Sequence, residues 1–297
     1  MDSEALATFV MVHRAGGVSS AAERLNRSQP AISRRIALLE EKLGAPLFER
    51  VSAGLALSQA GEALLPHAER VLAALQDAAA AMDDFHAGAA GSVSLAVVGT
   101  LANAKLAPTL RRFAEIHPKV AVKLRTATSA QVSEHVRRGE AAIGLRYFED
   151  ASPDITCRML TPEGLVVACA FDHRLAGGKV RSLRALRSEH WLAFPERPAR
   201  QEASAANIAA QFLTRNVVDF NWTPVDSLTA QKRLIEAGFG MALLPESSIT
   251  EELARKSIAT IMVGDLQAAN PVAVIARSGG YLSASSAALL DILASNF

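Results

Sequence analysis

The sequence predicts a chain that is helical at its start and α/β thereafter: a helix-turn-helix unit, a long linker helix and two α/β lobes. Three observations carry this. Residues Ala21 to Arg50, AAERLNRSQPAISRRIALLEEKLGAPLFER, set a short helix, a tight turn and a second helix in succession. From Gln59 to about His86 an alanine-rich stretch keeps an apolar repeat alternating between four and three. From Ser92 onward, short apolar runs alternate with amphipathic stretches, the pattern of parallel strands covered by helices.

Within the first unit, Ser19 is placed to cap a helix running to about Leu25, with Ala21, Ala22 and Leu25 as its small apolar face; Asn26 and Arg27 break it. Ser28 is a candidate cap for the next helix, its hydroxyl accepting from an early backbone N–H. Pro30 sits in the first turn, where a missing donor costs nothing. Ile32, Ile36, Leu39 and Leu43 then fall on one buried stripe until Gly44 ends the helix, so Gln29, Ser33, Arg34 and Ala37 face out. From Arg24 to Arg35 there are four arginines (Arg24, Arg27, Arg34, Arg35) and no acid. Such a patch suits phosphates, and Arg and Gln can also bond base edges bidentately in the major groove, which admits a helix. The plainer alternative is a solvated basic hairpin; the agreement of cap, turn and outward polar face favours a DNA reader.

On these residues the stretch up to Pro66 resembles the N-terminal domain of the LysR-type transcriptional regulators. The match runs through Phe9, Ala15, Ser20, Ala21, Ala22 and Leu25, then SQPAIS from Ser28 to Ser33, Leu39 with Glu40, and Leu43 with Gly44. It continues with PLFER from Pro46 to Arg50 and LSQAGEALLP from Leu57 to Pro66. The resemblance implies a winged helix-turn-helix, its second helix in the major groove and a hairpin wing near the minor groove. By the same carry-over Gln29, Pro30, Ser33 and Arg34 read bases or adjoining phosphates, Ser28 and Arg35 help position, and Arg50 with Ser52 belongs to the wing. Arg27 stands where the family is usually apolar; it either adds a phosphate contact or leaves the turn less tightly packed. The wing, Val51 to Ser58, has no basic residue after Arg50, so a weaker attraction to the minor groove is expected.

At 297 residues, 50% hydrophobic and 21% charged, the chain has enough apolar material for two or three domains. A net charge of +1 means that any nucleic-acid binding comes from a localised face. No apolar run approaches the roughly 18 to 20 residues of a membrane span. Met1 to Leu25 carries acids at Asp2, Glu4 and Glu23 and no signal-like core, so a cytoplasmic protein is expected. Cys157 and Cys169 both have apolar neighbours, which fits reduced core thiols; a redox-sensing pair, as in some relatives of the family, is the minor alternative. The seven histidines show no metal-ligand pairing, and neither a P-loop nor a GxSxG elbow occurs. No catalytic residue, metal or cofactor is therefore expected.

In the linker, Leu64, Ala68, Val71, Leu75, Ala78, Met82 and Phe85 form the seam of a helix that pairs with a second copy, the alternative being that the stripe packs on its own domain. Pro66 adjusts the helix in its second turn, and Ala87, Gly88 and Gly91 mark a hinge. A symmetric dimer matches a palindromic site. The resemblance implies the same dimer, often assembled into a homotetramer as a dimer of dimers.

Beyond the hinge, strands are expected at Ser92 to Gly99, Val120 to Ala127 and Ala141 to Tyr147, with helices at Leu106 to Ile116 and Ala130 to Arg138 between them. A second series has strands at Gly164 to Ala170, His190 to Phe194, Phe220 to Val225 and Met241 to Pro245, with helices at Ala203 to Leu213 and Leu228 to Glu236. A strand at Pro271 to Arg277 and a helix at Ser285 to Ala294 return to the first unit. Ligands of such sheets bind beyond the strands' carboxyl ends. That places Thr100, Thr128, Ser129, Arg146, Phe194, Pro195 and Ser227 at a cleft suited to a small, anionic effector, unless the four hydroxyls are only helix caps. The LysR-type resemblance extends here to a two-lobed effector-binding domain like the periplasmic binding proteins, and Ala142 departs from a frequent Asp.

The expected units are a winged helix-turn-helix at 1–58, a linker helix and hinge at 59–90, and an effector-binding domain at 91–297. Lobe I takes about 91–160 and 268–297, and lobe II about 161–267. The expected function is a transcriptional regulator whose partners are a double-stranded DNA operator, a small-molecule effector and a second copy, with RNA polymerase as a further candidate. An enzyme, or a binding module unrelated to transcription, would explain the cleft but leave the arginine-bearing helix unused.

Overall fold

A computed structural model of the chain describes residues 2–52, 54–87, 91–102, 105–195 and 208–297. The first unit is built from α1 (Ser3–Ala15), α2 (Val18–Arg24), α3 (Gln29–Leu43) and the hairpin β1 (Phe48–Val51) and β2 (Gly54–Leu57). Its core gathers Leu6, Phe9, Val10, Ala21, Ile32, Ile36, Leu39 and Leu47, with Phe9 and Phe48 ring centroids 5.4 Å apart. α4 (Gln59–Ala87) follows without interruption through Pro66. Gly61 is required at its start, because any Cβ there would run into the Leu47 carbonyl.

Lobe I begins with β3 (Gly91–Val98), α5 (Leu106–Ile116), β4 (Val120–Ala127), α6 (Ser129–Arg137), β5 (Ile143–Tyr147) and β6 (Ile155–Met159). Lobe II holds β7 (Glu163–Ala170), β8 (Lys179–Val180), β9 (Trp191–Ala193), α7 (Ile208–Leu213), β10 (Trp222–Pro224), α8 (Leu228–Glu236), β11 (Ala242–Pro245), α9 (Thr250–Arg255), β12 (Ile258–Val263) and β13 (Ala269–Asn270). The chain then returns to lobe I as β14 (Val272–Arg277) and α10 (Ala284–Asn296).

The lobe I sheet has the order β4-β3-β5-β14-β6. β3 runs parallel to β4 and β5, as expected, but the returning β14 lies antiparallel to both β5 and β6. The lobe II sheet departs further from an all-parallel plan: β7 is antiparallel to β11, β12 and β13. The crossing back from lobe II brings β13 alongside the start of β7 and pairs Asn270 with Glu163. Helices cover both faces of the lobe I sheet. Leu95, Phe113, Leu145 and Leu293 fill one side, and Ala96, Val132, Val136 and Ile275 the other. The strands β6, β8, β12 and β13 and the helix α9 were not anticipated. Of the helix expected at 203–213 the described part starts at Ile208, and Gly88 of the expected hinge lies outside the described residues.

Candidate nucleic-acid interface and effector cleft

α2 is capped by Gly17 rather than Ser19, which lies inside the helix, and Asn26 turns the chain with φ 50°. Ser28 is the N-cap of α3 by its backbone, but its hydroxyl makes no capping bond. The reason is local. A cap hydroxyl accepts from the second or third helical N–H; Pro30 has none, and the Ala31 N–H donates instead to the Ser28 carbonyl at 3.0 Å. Ile32, Ile36 and Leu39 are buried as expected, whereas Leu43, the last residue of the helix before Gly44, is 41% exposed.

The outward face is Arg27, Ser28, Gln29, Pro30, Ser33, Arg34 and Ala37, all exposed. Arg34 borders a groove of about 360 Å³ between α1 and α3, shared with Asp2, Ala31, Leu38 and Lys42. Arg35 is half-buried and pairs with Glu4 of α1 at 3.0 Å. Arg27 reaches the same carboxylate at 3.9 Å with both side chains well exposed, a contact of little energetic weight. The hairpin β1–β2 supplies the wing, with Arg50 opposite Leu55 and both Arg50 and Ser52 exposed.

The seam of α4 divides. Ala68 is 1% exposed and packed into the core of its own first unit, which corrects its assignment to a second copy, while Leu64 packs there too but stays half-buried. That core needs a helix to close it, and the start of α4 lies nearest. Val71, Leu75, Ala78 and Met82 are exposed, and Phe85 is 78% exposed.

At the junction of the lobes a chain of polar groups joins elements far apart in sequence. Thr100 Oγ1 donates to Tyr147 Oη at 3.0 Å, and Tyr147 Oη donates to Glu163 Oε2 at 2.5 Å. Ser247 of lobe II donates to the other oxygen of Glu163. Burial, with the Glu163 charge beside it, raises the Tyr147 phenol well above its ordinary value and keeps it a donor. Asn270 also bonds Tyr147, and its buried Oδ1 has no partner. Tyr147, Glu163, Ser247 and Asn270 were missed by the sequence reading. They come from four elements, and only the double crossing brings them together.

The expected cleft residues have structural employment. Thr128 caps α6 in a reciprocal box, accepting from the Gln131 N–H while Gln131 Oε1 accepts from the Thr128 N–H at 3.0 Å. Ser227 caps α8, accepting from Ala230 N at 3.3 Å, and Ser129 Oγ accepts from Tyr147 N at 3.4 Å. Arg146 does not stand open to an anion. It is 5% exposed and donates to Asp150 Oδ2 and Ser133 Oγ, each at 2.9 Å, because the end of β5 turns it under α6. Phe194 is exposed and Pro195 half-buried.

The two cysteines are not brought together as a redox pair. Cys169 lies in the lobe II core, its thiol pushed up to about 11 by burial and the nearby Glu189 charge, while Cys157 belongs to β6 at the edge of the lobe I sheet. Among the described residues no cluster of His, Cys, Asp or Glu could hold a metal ion, and no helix is long and apolar enough to cross a membrane.

Comparison with known proteins agrees with this geometry. The family model described as "Bacterial regulatory helix-turn-helix protein, lysR family" matches residues 3–62, and the "LysR substrate binding domain" matches residues 86–297. The transcriptional dual regulator GltC of Bacillus subtilis (strain 168) is 31% identical over 229 residues, 77% of this chain and 75% of that protein. The HTH-type transcriptional regulator CitR of the same organism is 25% identical over 267 residues, 90% of each. The crystal structure of full-length CbnR complexed with its target DNA superposes with a TM-score of 0.65 at 26% identity, covering 100% of both chains. The chain belongs to the LysR family of bacterial regulatory helix-turn-helix proteins, DNA-binding transcriptional regulators with an effector-binding domain.

Proposed function

We propose that this regulator reads a double-stranded operator through the outward face of α3. Gln29, Pro30, Ser33 and Arg34 contact bases or adjoining phosphates, Arg27, Ser28 and Arg35 help position them, and Arg50 and Ser52 flank from the wing. The observation that carries this is the division of α3 between its two faces. Ile32, Ile36 and Leu39 seat the helix, leaving a polar, basic face exposed. That CbnR is solved on its target DNA supports the same use of the fold here. Val71, Leu75, Ala78, Met82 and Phe85 would bury their exposed stripe against a second copy, presenting two readers to a palindrome, and two dimers would give a tetramer.

The effector site is the cleft lined by Thr100, Thr128, Ser129, Phe194, Pro195 and Ser227. Arg146 already faces Asp150, so hydroxyls and the Tyr147 phenol carry recognition there. The working units are 1–58, 59–90 and 91–297, acting by binding and not by catalysis. The test is salt-dependent binding of the full chain to the DNA upstream of its own gene against a scrambled duplex, with footprinting. A protected palindrome held more tightly than the scramble at about 150 mM salt is expected. Equal, salt-sensitive binding to both would reduce the reader to general phosphate attraction.

A further inference from the structure

α4 carries a second face that the dimer seam does not use. Glu69, Ala73, Gln76 and Asp77 recur at steps of four, three and one, so they form one stripe along two turns, rotated away from Val71, Leu75 and Met82. The ion pairs and hydrogen bonds of this stripe run to lobe I and to α1. Glu69 accepts from Arg138 at 2.8 Å and from Arg14 at 3.2 Å. Arg14 reaches on to Glu140 at 2.9 Å, and Glu140 is held from its other side by His135 at 2.7 Å and Arg125 at 3.4 Å. Farther along, Asp77 pairs with Arg277 and accepts from the Tyr281 N–H at 3.1 Å.

The packing between these charges is close. Gly139, just past α6, has φ 70°, which favours glycine, and a Cβ there would lie within 2.8 Å of Gln76 Oε1 and 3.6 Å of Ala73, so the turn after α6 sits close against α4. Ala73 is fully buried, and the Nε atoms of both Arg14 and Arg277 are buried without partners, so neither guanidinium sits there for solvation. Burial alone would raise the Glu140 carboxyl; the His135 hydrogen bond and the Arg14 and Arg138 charges outweigh it and hold the group below its ordinary value.

We propose that this stripe is an intrachain clasp. It fastens the helix-turn-helix unit and the linker helix to lobe I as one body, with Arg14 as the residue that touches both sides. Lobe II is then the part that moves against that body when an effector enters, and release of the clasp frees the direction in which each reader is presented. The consequence for DNA rests on the function proposed above; the clasp itself does not.

The experiment is hydrogen–deuterium exchange on the full chain without DNA, for Arg14→Met, Glu140→Gln and the double variant, each checked for a cooperative melt. Each single change should speed exchange about threefold both at the end of α1, where Arg14 lies, and from α6 through Glu140, although it alters only one of these segments, and the double variant should add little. Changes confined to the altered segment, or effects that sum, overturn the clasp. Glu140→Gln carries the test alone if Arg14→Met does not fold. Footprints of the same variants on the upstream DNA should show altered spacing of the protected half-sites. Failure of the unaltered protein to protect any site counts against the operator reading and leaves the exchange result to judge the clasp.

Discussion

The DNA reader and the effector cleft use polar residues in opposite ways. On α3 the residues assigned to recognition are exposed on a face that the fold does not need, while the opposite face holds the helix in place. At the junction of the lobes the corresponding groups are woven into the fold: Thr128 and Ser227 cap helices, Thr100 and Tyr147 bond in series to Glu163, and Arg146 lies under α6 against Asp150. In the reader, stability and recognition separate by face. In the proposed cleft one group would serve both, so a ligand there would have to compete with bonds already made, and its binding would be tied to lobe geometry.

The largest effect should come from the seating face of α3. Leu39→Ala removes a side chain that is 1% exposed, and a loss of about 2–5 kcal/mol is expected, read as a lowered midpoint in chemical denaturation. Arg34→Ala, on the outer face of the same helix, should leave that midpoint in place yet weaken operator binding by roughly 1–3 kcal/mol in a titration at fixed salt. If Arg34→Ala lowered the midpoint as well, the separation by face would not hold. Tyr147→Phe probes the other region. It leaves Glu163, Thr100 and Asn270 short of a partner, so about 1–3 kcal/mol of stability should go together with a changed effector response. An unchanged melt would show the cleft groups to be as structurally idle as those on α3.

What could be read from the sequence follows the same division. The stripe Ile32, Ile36, Leu39, the terminating Gly44 and the outward Gln29 and Arg34 are set within one helix by local spacing, and they came out as expected. The capping role of Ser28 did not, because it depended on which N–H groups remained once Pro30 had removed one. The seam of α4 was legible as a repeat, but a repeat does not say what covers it; Ala68 is covered by its own unit. Tyr147, Glu163, Ser247 and Asn270 had no shared spacing to betray them, since sheet order and two crossings between lobes assemble the cluster. The stripe Glu69, Ala73, Gln76 and Asp77 was not read from the sequence, because charged residues are spread around this helix and only the partners in α1 and lobe I single these out.

The smallest expected effect belongs to a carboxylate of lobe II and is confined to that side of the comparison. Burial works to raise Asp265, but hydrogen bonds from Ser182, the Leu183 N–H and Arg215 lower it below its ordinary 3.8. A carboxyl depressed on folding contributes stability above its unfolded value and loses it as pH falls through the folded one. Asp265→Asn should therefore lower the midpoint at neutral pH and converge with the unaltered chain in strong acid. The side chain is 38% exposed, so solvent screening limits the difference to less than about 1 kcal/mol. Thermal melts carried from about pH 7 down to about pH 2 read both ends of that window. Operator affinity at neutral pH should not change, because Asp265 fixes the turn at Leu183 within lobe II and touches neither α3 nor the stripe on α4. A parallel offset at every pH would instead mean that the carboxylate acts through its shape and hydrogen bonds and not through its charge.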